Sequence, residues 1–167
     1  MDKSTTLNIL KNAFLMERQG KQLYETAKAH AENDEVKEFF QSLVDDEQEH
    51  MDILKNQFKA YEETGKFMAG EFENAGNSDT APDILTDTIK EKINAAGFEA
   101  TAITASIGFE EKAVNMYAQR AQEATDPEEK KMYAWLSTWE KTHLKKLMDL
   151  QEYLMSKIWV DNNFWPF

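Results

Sequence analysis

Two stretches of this chain share a Glu-x-x-His spacing: Glu47 with His50, and Glu140 with His143. Thirty residues before each stands another glutamate, Glu17 and Glu110, and seven residues after each of those comes a tyrosine, Tyr24 and Tyr117. Carboxylate oxygens with imidazole nitrogens form a donor set that suits iron or manganese, with zinc as a further option. A lone Glu-x-x-His on an acidic helical chain arises often by accident. Two copies in equivalent positions, each with its own upstream glutamate, are far more specific. The chain has only three histidines, and two of them fall on this pattern.

The two copies belong to a longer internal repeat. Shifted by 93 residues, positions 17–54 align with 110–147 without a gap, and nine of the 38 pairs are identical. Chance would give about two at average composition. The identities include Ala31 with Ala124, Glu35 with Glu128, Lys37 with Lys130, Leu43 with Leu136 and Leu54 with Leu147. Two similar helical hairpins related by an approximate twofold axis would set the two groups opposite one another.

Helix periodicity turns these spacings into faces. Residues three, four and seven apart share one side of a helix. Leu43, Glu47, His50 and Leu54 therefore lie in one stripe, and Leu136, Glu140, His143 and Leu147 in another. Leu10, Glu17, Tyr24 and Ala31 form a third, and Ile103, Glu110, Tyr117 and Ala124 a fourth. Four carboxylates and two imidazoles are thus placed on otherwise apolar faces. An unpaired buried carboxylate costs several kcal/mol, and no Lys or Arg follows the stripes. Two divalent ions would balance the four glutamates, with neutral histidines completing the donor sets. Tyr24 and Tyr117 read either as core packing or as catalytic groups near the metals, through a hydrogen bond to the ligands or as a redox-active phenol. Asp46, beside Glu47, could brace a histidine across the bundle or be solvated; Trp139 stands at the equivalent position of the second half. His30 lies outside the pattern and reads as a surface or capping residue.

The elements that must hold these stripes are helices. The 167 residues include six glycines and three prolines and are rich in good helix formers. Helices are expected over about 4–31 and 34–63, with Asn33 or Asp34 as the cap and Gly65 as the stop. Residues 65–82 read as a loop, and a short helix is expected over 83–94. A third long helix should run over about 99–124, and a fourth from Asp126-Pro127, a cap followed by a favoured first position, to about 158. The expected fold is all-α: a single ferritin-like four-helix bundle over 1–167. It comprises a hairpin over about 4–64, a crossover over about 65–97, a second hairpin over about 98–158 and a short aromatic tail. Phe164, Trp165 and Phe167 of that tail could cover the bundle end or a dimer partner.

The net charge of −12 opposes nucleic-acid binding and an anionic membrane surface. Without cysteine, the chain has no disulfide, no thiolate metal site and no Cys nucleophile. No signal peptide or membrane-spanning run is visible, so a cytoplasmic location is expected.

The paired Glu…Glu-x-x-His halves resemble the ferritin-like di-iron superfamily, and most closely its rubrerythrin-like branch, over about Leu7 to Tyr153. The resemblance implies that Glu47 and Glu140 bridge two irons, that Glu17 and His50 complete one ion's ligands, and that Glu110 and His143 complete the other's. It implies an enzyme that reduces hydrogen peroxide or dioxygen, and a homodimer. Three features depart from that family. Rubrerythrins carry a four-cysteine rubredoxin-type domain, so electrons here would come from an external donor such as a separate rubredoxin-like protein. Rubrerythrins have an additional glutamate one turn after the third-helix ligand, where this chain has Ala113. The fifth helix of cage-forming ferritins has too few residues after about 158. A non-cage iron-binding or ferroxidase protein and a metal-free helical interaction module are the alternatives.

Overall fold

The computed structural model describes residues 2–70, 87–93 and 97–161, with side chains through Lys157. It contains α1 (Lys3–His30), α2 (Asp34–Thr64), α3 (Asp87–Lys92), α4 (Phe98–Glu123) and α5 (Pro127–Asp161). No strand occurs among the described residues. The long helices begin and end close to where the capping signals place them. Asp2 accepts from the Thr5 amide at 2.9 Å to start α1, and Asn33 accepts from Glu35 at 2.9 Å to start α2. Asp126 accepts from the Glu128 amide at 2.8 Å at the head of α5. Each satisfies an amide that the first helical turn leaves without a partner. Gly65 closes α2 in the left-handed region, φ 69°, where a side chain would be strained.

α3 spans Asp87–Lys92, within the expected 83–94. Residues 83–86 and 94 lie outside the described residues, as do most of the expected loop and the tail with Phe164, Trp165 and Phe167. In α3, Ile89 is buried and packs with the core at one bundle end, alongside Ile93 just beyond the helix.

α1 and α2 run antiparallel, as do α4 and α5. Ser137 donates to the Val114 carbonyl at 3.2 Å, and Gln151 reaches Thr104 at 3.0 Å across the second hairpin. The hairpins join along α1 and α4, which are also antiparallel, because Tyr24 meets Glu110 while Tyr117 meets Glu17. α2 and α5 face each other through side chains, His143 to Asp46 and His50 to Trp139.

The apolar residues fall into two clusters. One contains Leu43, Ile103 and Leu147; the other contains Leu10, Leu54, Tyr117 and Leu136. Each Glu–His stripe therefore has one leucine in each cluster, and the polar groups lie in a slab between two dry half-cores. Burial of a leucine side chain is worth roughly 1.5–3 kcal/mol. Replacing the fully buried Leu136 with Ala should cost about 2–5 kcal/mol in urea unfolding, through lost transfer energy and a cavity. The half-exposed Met148→Ala control should stay within about 0.5 kcal/mol.

Candidate metal centre

α1 contributes Glu17, α2 Glu47 and His50, α4 Glu110, and α5 Glu140 and His143, all of them nearly or fully buried. The structure brings the six together in two overlapping groups. Glu17, Glu47, His50 and Glu140 form one, and Glu47, Glu110, Glu140 and His143 the other; in each, one ligand atom per residue lies within 4.8 Å of the rest. Glu47 and Glu140 are common to both groups. The arrangement follows from the repeat: antiparallel hairpins carry equal spacings to opposite sides of one centre.

Both imidazoles turn Nδ1 inward. His50 Nδ1 is 3.1 Å from Glu17 Oε2 and 2.9 Å from Glu140 Oε1. His143 Nδ1 is 3.3 Å from Glu140 Oε2 and 3.8 Å from Glu110 Oε1. Several of these donors are left without an aligned hydrogen bond: Glu47 Oε2, both Glu140 oxygens and His143 Nδ1. Buried oxygens and a ring nitrogen that converge and lack partners are costly in a protein core. They are also what a metal ion consumes, so the residues fit an oxygen-rich two-metal site.

The tyrosines are not simple core filling. Tyr24 Oη donates to Glu110 and Tyr117 Oη to Glu17, each crossing from one hairpin to the other. Burial, reinforced by the neighbouring carboxylates, holds both phenols well above their usual range, so they remain neutral donors. Asp46 does brace a histidine: its Oδ2 accepts from His143 Nε2 at 2.9 Å. His50 Nε2 is buried without a hydrogen-bond partner, and its ring meets Trp135 and Trp139 edge-to-face at centroid distances of 5.7 and 5.2 Å. His30 lies apart from the centre, exposed at the end of α1 and stacked on Phe98 at 4.2 Å.

Gly20 was not singled out by sequence reasoning. A Cβ there would come within 2.9 Å of the Phe109 ring and 3.4 Å of the Glu47 carboxyl carbon. The glycine thus makes room chiefly for the Phe109 ring, next to Glu47, and its signal was a glycine inside a long helix, where it costs about 1 kcal/mol relative to alanine. The two tryptophans around His50 were equally unforeseen.

Protons carry the balance while no metal is bound. Burial pushes Glu47 up, with the Glu140 and Glu17 carboxylates adding to it, and burial with Glu140 does the same to Glu110. Burial also opposes charge on Glu140, but His50 and His143 outweigh it and hold that carboxyl well below the usual range. Burial disfavours the His143 cation, yet Asp46 and Glu140 outweigh it and raise the group to about 9.

These features define a class: a ferritin-like helical bundle with a buried carboxylate–histidine centre built from two equivalent hairpins. A family model described as rubrerythrin matches residues 8–151, and the chain belongs to that family. Among solved structures, it is similar to a two-domain protein of Anabaena variabilis containing DJ-1/ThiJ/PfpI-like and ferritin-like domains. The TM-score is 0.65 at 16% identity, with 91% of this chain and 40% of that chain covered. At that identity the likeness speaks for the fold alone, and this chain spans less than half of that protein. No curated protein sequence matches significantly. No helix among the described residues is long and apolar enough to cross a membrane.

A pH dependence follows. The folded state holds a proton on His143 up to about 9, whereas the unfolded chain releases it near 6.5. That contribution to stability is fully present below 6.5 and is lost as pH rises through about 9. Glu47 and Glu110, also raised, act in the same direction from the ordinary carboxylate range upward. The metal-free protein should therefore show a falling Tm between pH 6.5 and 9 in thermal denaturation. Saturating Mn2+ should flatten or reverse that slope, because the ligands then bind metal in place of protons.

Proposed function

We propose that this protein is a di-iron oxidoreductase of the rubrerythrin-like type, reducing hydrogen peroxide or dioxygen with electrons from an external donor. The observation that carries the proposal is the convergence of four buried carboxylates and two Nδ1 atoms, among which Glu47 Oε2, both Glu140 oxygens and His143 Nδ1 have no hydrogen-bond partner. Glu47 and Glu140 would bridge, Glu17 and His50 would hold one ion, and Glu110 and His143 the other. When bound, two ferrous ions would supply Lewis acidity and the two electrons that cleave an O–O bond.

The chain's own residues prepare that chemistry. Tyr24 and Tyr117 keep their protons on Oη and orient the outer carboxylates Glu110 and Glu17. Asp46 holds the His143 ring with Nδ1 toward the centre. The two apolar clusters exclude water on either side of the polar slab. The donor is placed outside this sequence because the sequence has no cysteine to hold a rubredoxin-type iron.

A second reading, an iron-binding ferroxidase, is favoured by Ala113. It is buried where rubrerythrins carry their additional glutamate, which leaves a symmetric six-residue set. Turnover separates the two. Anaerobic loading should give two irons per chain, and hydrogen peroxide should oxidise them rapidly, as followed by absorbance. Repeated peroxide consumption with a small-molecule reductant supports the oxidoreductase; a single oxidation followed by iron release supports the ferroxidase. Glu47→Ala and Glu140→Ala should each lose two-metal binding by equilibrium dialysis. Two equivalents retained in both variants would remove the bridging assignment.

A further inference from the structure

The internal repeat is broken at one place that touches the centre. Asp46 immediately precedes Glu47, and its counterpart, immediately before Glu140, is Trp139. In a symmetric pair each histidine would have a carboxylate behind it. Only His143 has one, with Asp46 Oδ2 2.9 Å from its Nε2. Behind His50 stands the Trp139 ring at 5.2 Å and nearly perpendicular, and His50 Nε2, fully buried, has no hydrogen-bond partner. In front of the two rings the residue types match, since Glu47 and Glu140 belong to both groups and Tyr24 and Tyr117 donate to Glu110 and Glu17.

We propose that the two metal positions are unequal: the ion held by Glu110 and His143 binds first and more tightly, and the ion held by Glu17 and His50 is the exchangeable one. The inference rests on the two-metal reading above and deepens it. A carboxylate accepting from the far N–H of a metal-bound imidazole fixes its tautomer and ring orientation and makes the near nitrogen a better donor. Loss of such a partner commonly weakens metal affinity 10–100-fold. His143 comes to the metal already oriented by Asp46. His50 has no such support behind it: its Nε2 has no hydrogen-bond partner, and the Trp135 and Trp139 rings pack around it. Asp46 is therefore a positioning residue, acting on the metal through His143, and the equivalent position behind His50 holds the apolar ring of Trp139.

The test is an anaerobic titration of the metal-free full chain with Co2+, followed by visible absorption and calorimetry. The wild type should bind two equivalents in steps separated by at least about 10-fold in affinity. Asp46→Ala should weaken the tighter step by about 10–100-fold and bring the two steps together. Trp139→Asp should strengthen the weaker step. At one equivalent of Co2+, proton NMR should show one paramagnetically shifted imidazole N–H protected from exchange. It belongs to His143 and should vanish in Asp46→Ala, which a purely structural role for Asp46 would not produce. Two wild-type steps of equal affinity would overturn the inference while leaving the two-metal reading intact. So would an Asp46→Ala protein that keeps its tight step, or a wild type without the protected N–H at one equivalent. If the chain takes up no Co2+ at all, the two-metal reading falls and this inference falls with it. Should either variant fail to fold, the wild-type isotherm and its NMR signal decide.

Discussion

Four carboxylates buried at the middle of a helical bundle repel one another and have lost the water that would screen them. Such a group is tolerated only if something positive shares the space. Among the described residues no Lys or Arg side chain lies inside the slab, which holds two imidazoles. Much else follows from that constraint. The two apolar clusters are separate because the slab divides them, and the tyrosines spend their hydroxyls on Glu17 and Glu110. Each of these costs stability or uses a core position that a leucine could fill. They make sense together as the scaffold of a cation site.

Without metal, the same constraint is met by protons. Burial keeps Glu47 and Glu110 protonated well past their ordinary range, while Glu140 stays charged between two imidazoles. Metal and proton thus compete for one set of atoms. The neutral phenols and the Asp46 carboxylate stand behind these groups and hydrogen-bond to them, which fixes how they are aimed.

Much of this was legible in the sequence because helix geometry converts spacing into direction. Steps of three, four and seven put Glu47, His50 and the flanking Leu43 and Leu54 on one face, and the 93-residue repeat supplied the matching face on α5. The caps at Asn33, Gly65 and Asp126 marked the ends of the long helices. What periodicity could not provide was the partner across the bundle. It places Tyr24 on the inner face of α1 but does not say that its hydroxyl crosses to Glu110. It places Asp46 next to a ligand without choosing between solvent and His143. The crossings depend on how two hairpins dock, which is set by packing of α1 on α4.

The central claim is that the six residues hold two ions at once, and anomalous diffraction from crystals grown with Mn2+ tests it most directly. The account predicts two anomalous peaks about 3.5–4 Å apart, one touching Glu17 and His50, the other Glu110 and His143, with Glu47 and Glu140 reaching both. A single peak, or none at saturating Mn2+, would contradict it.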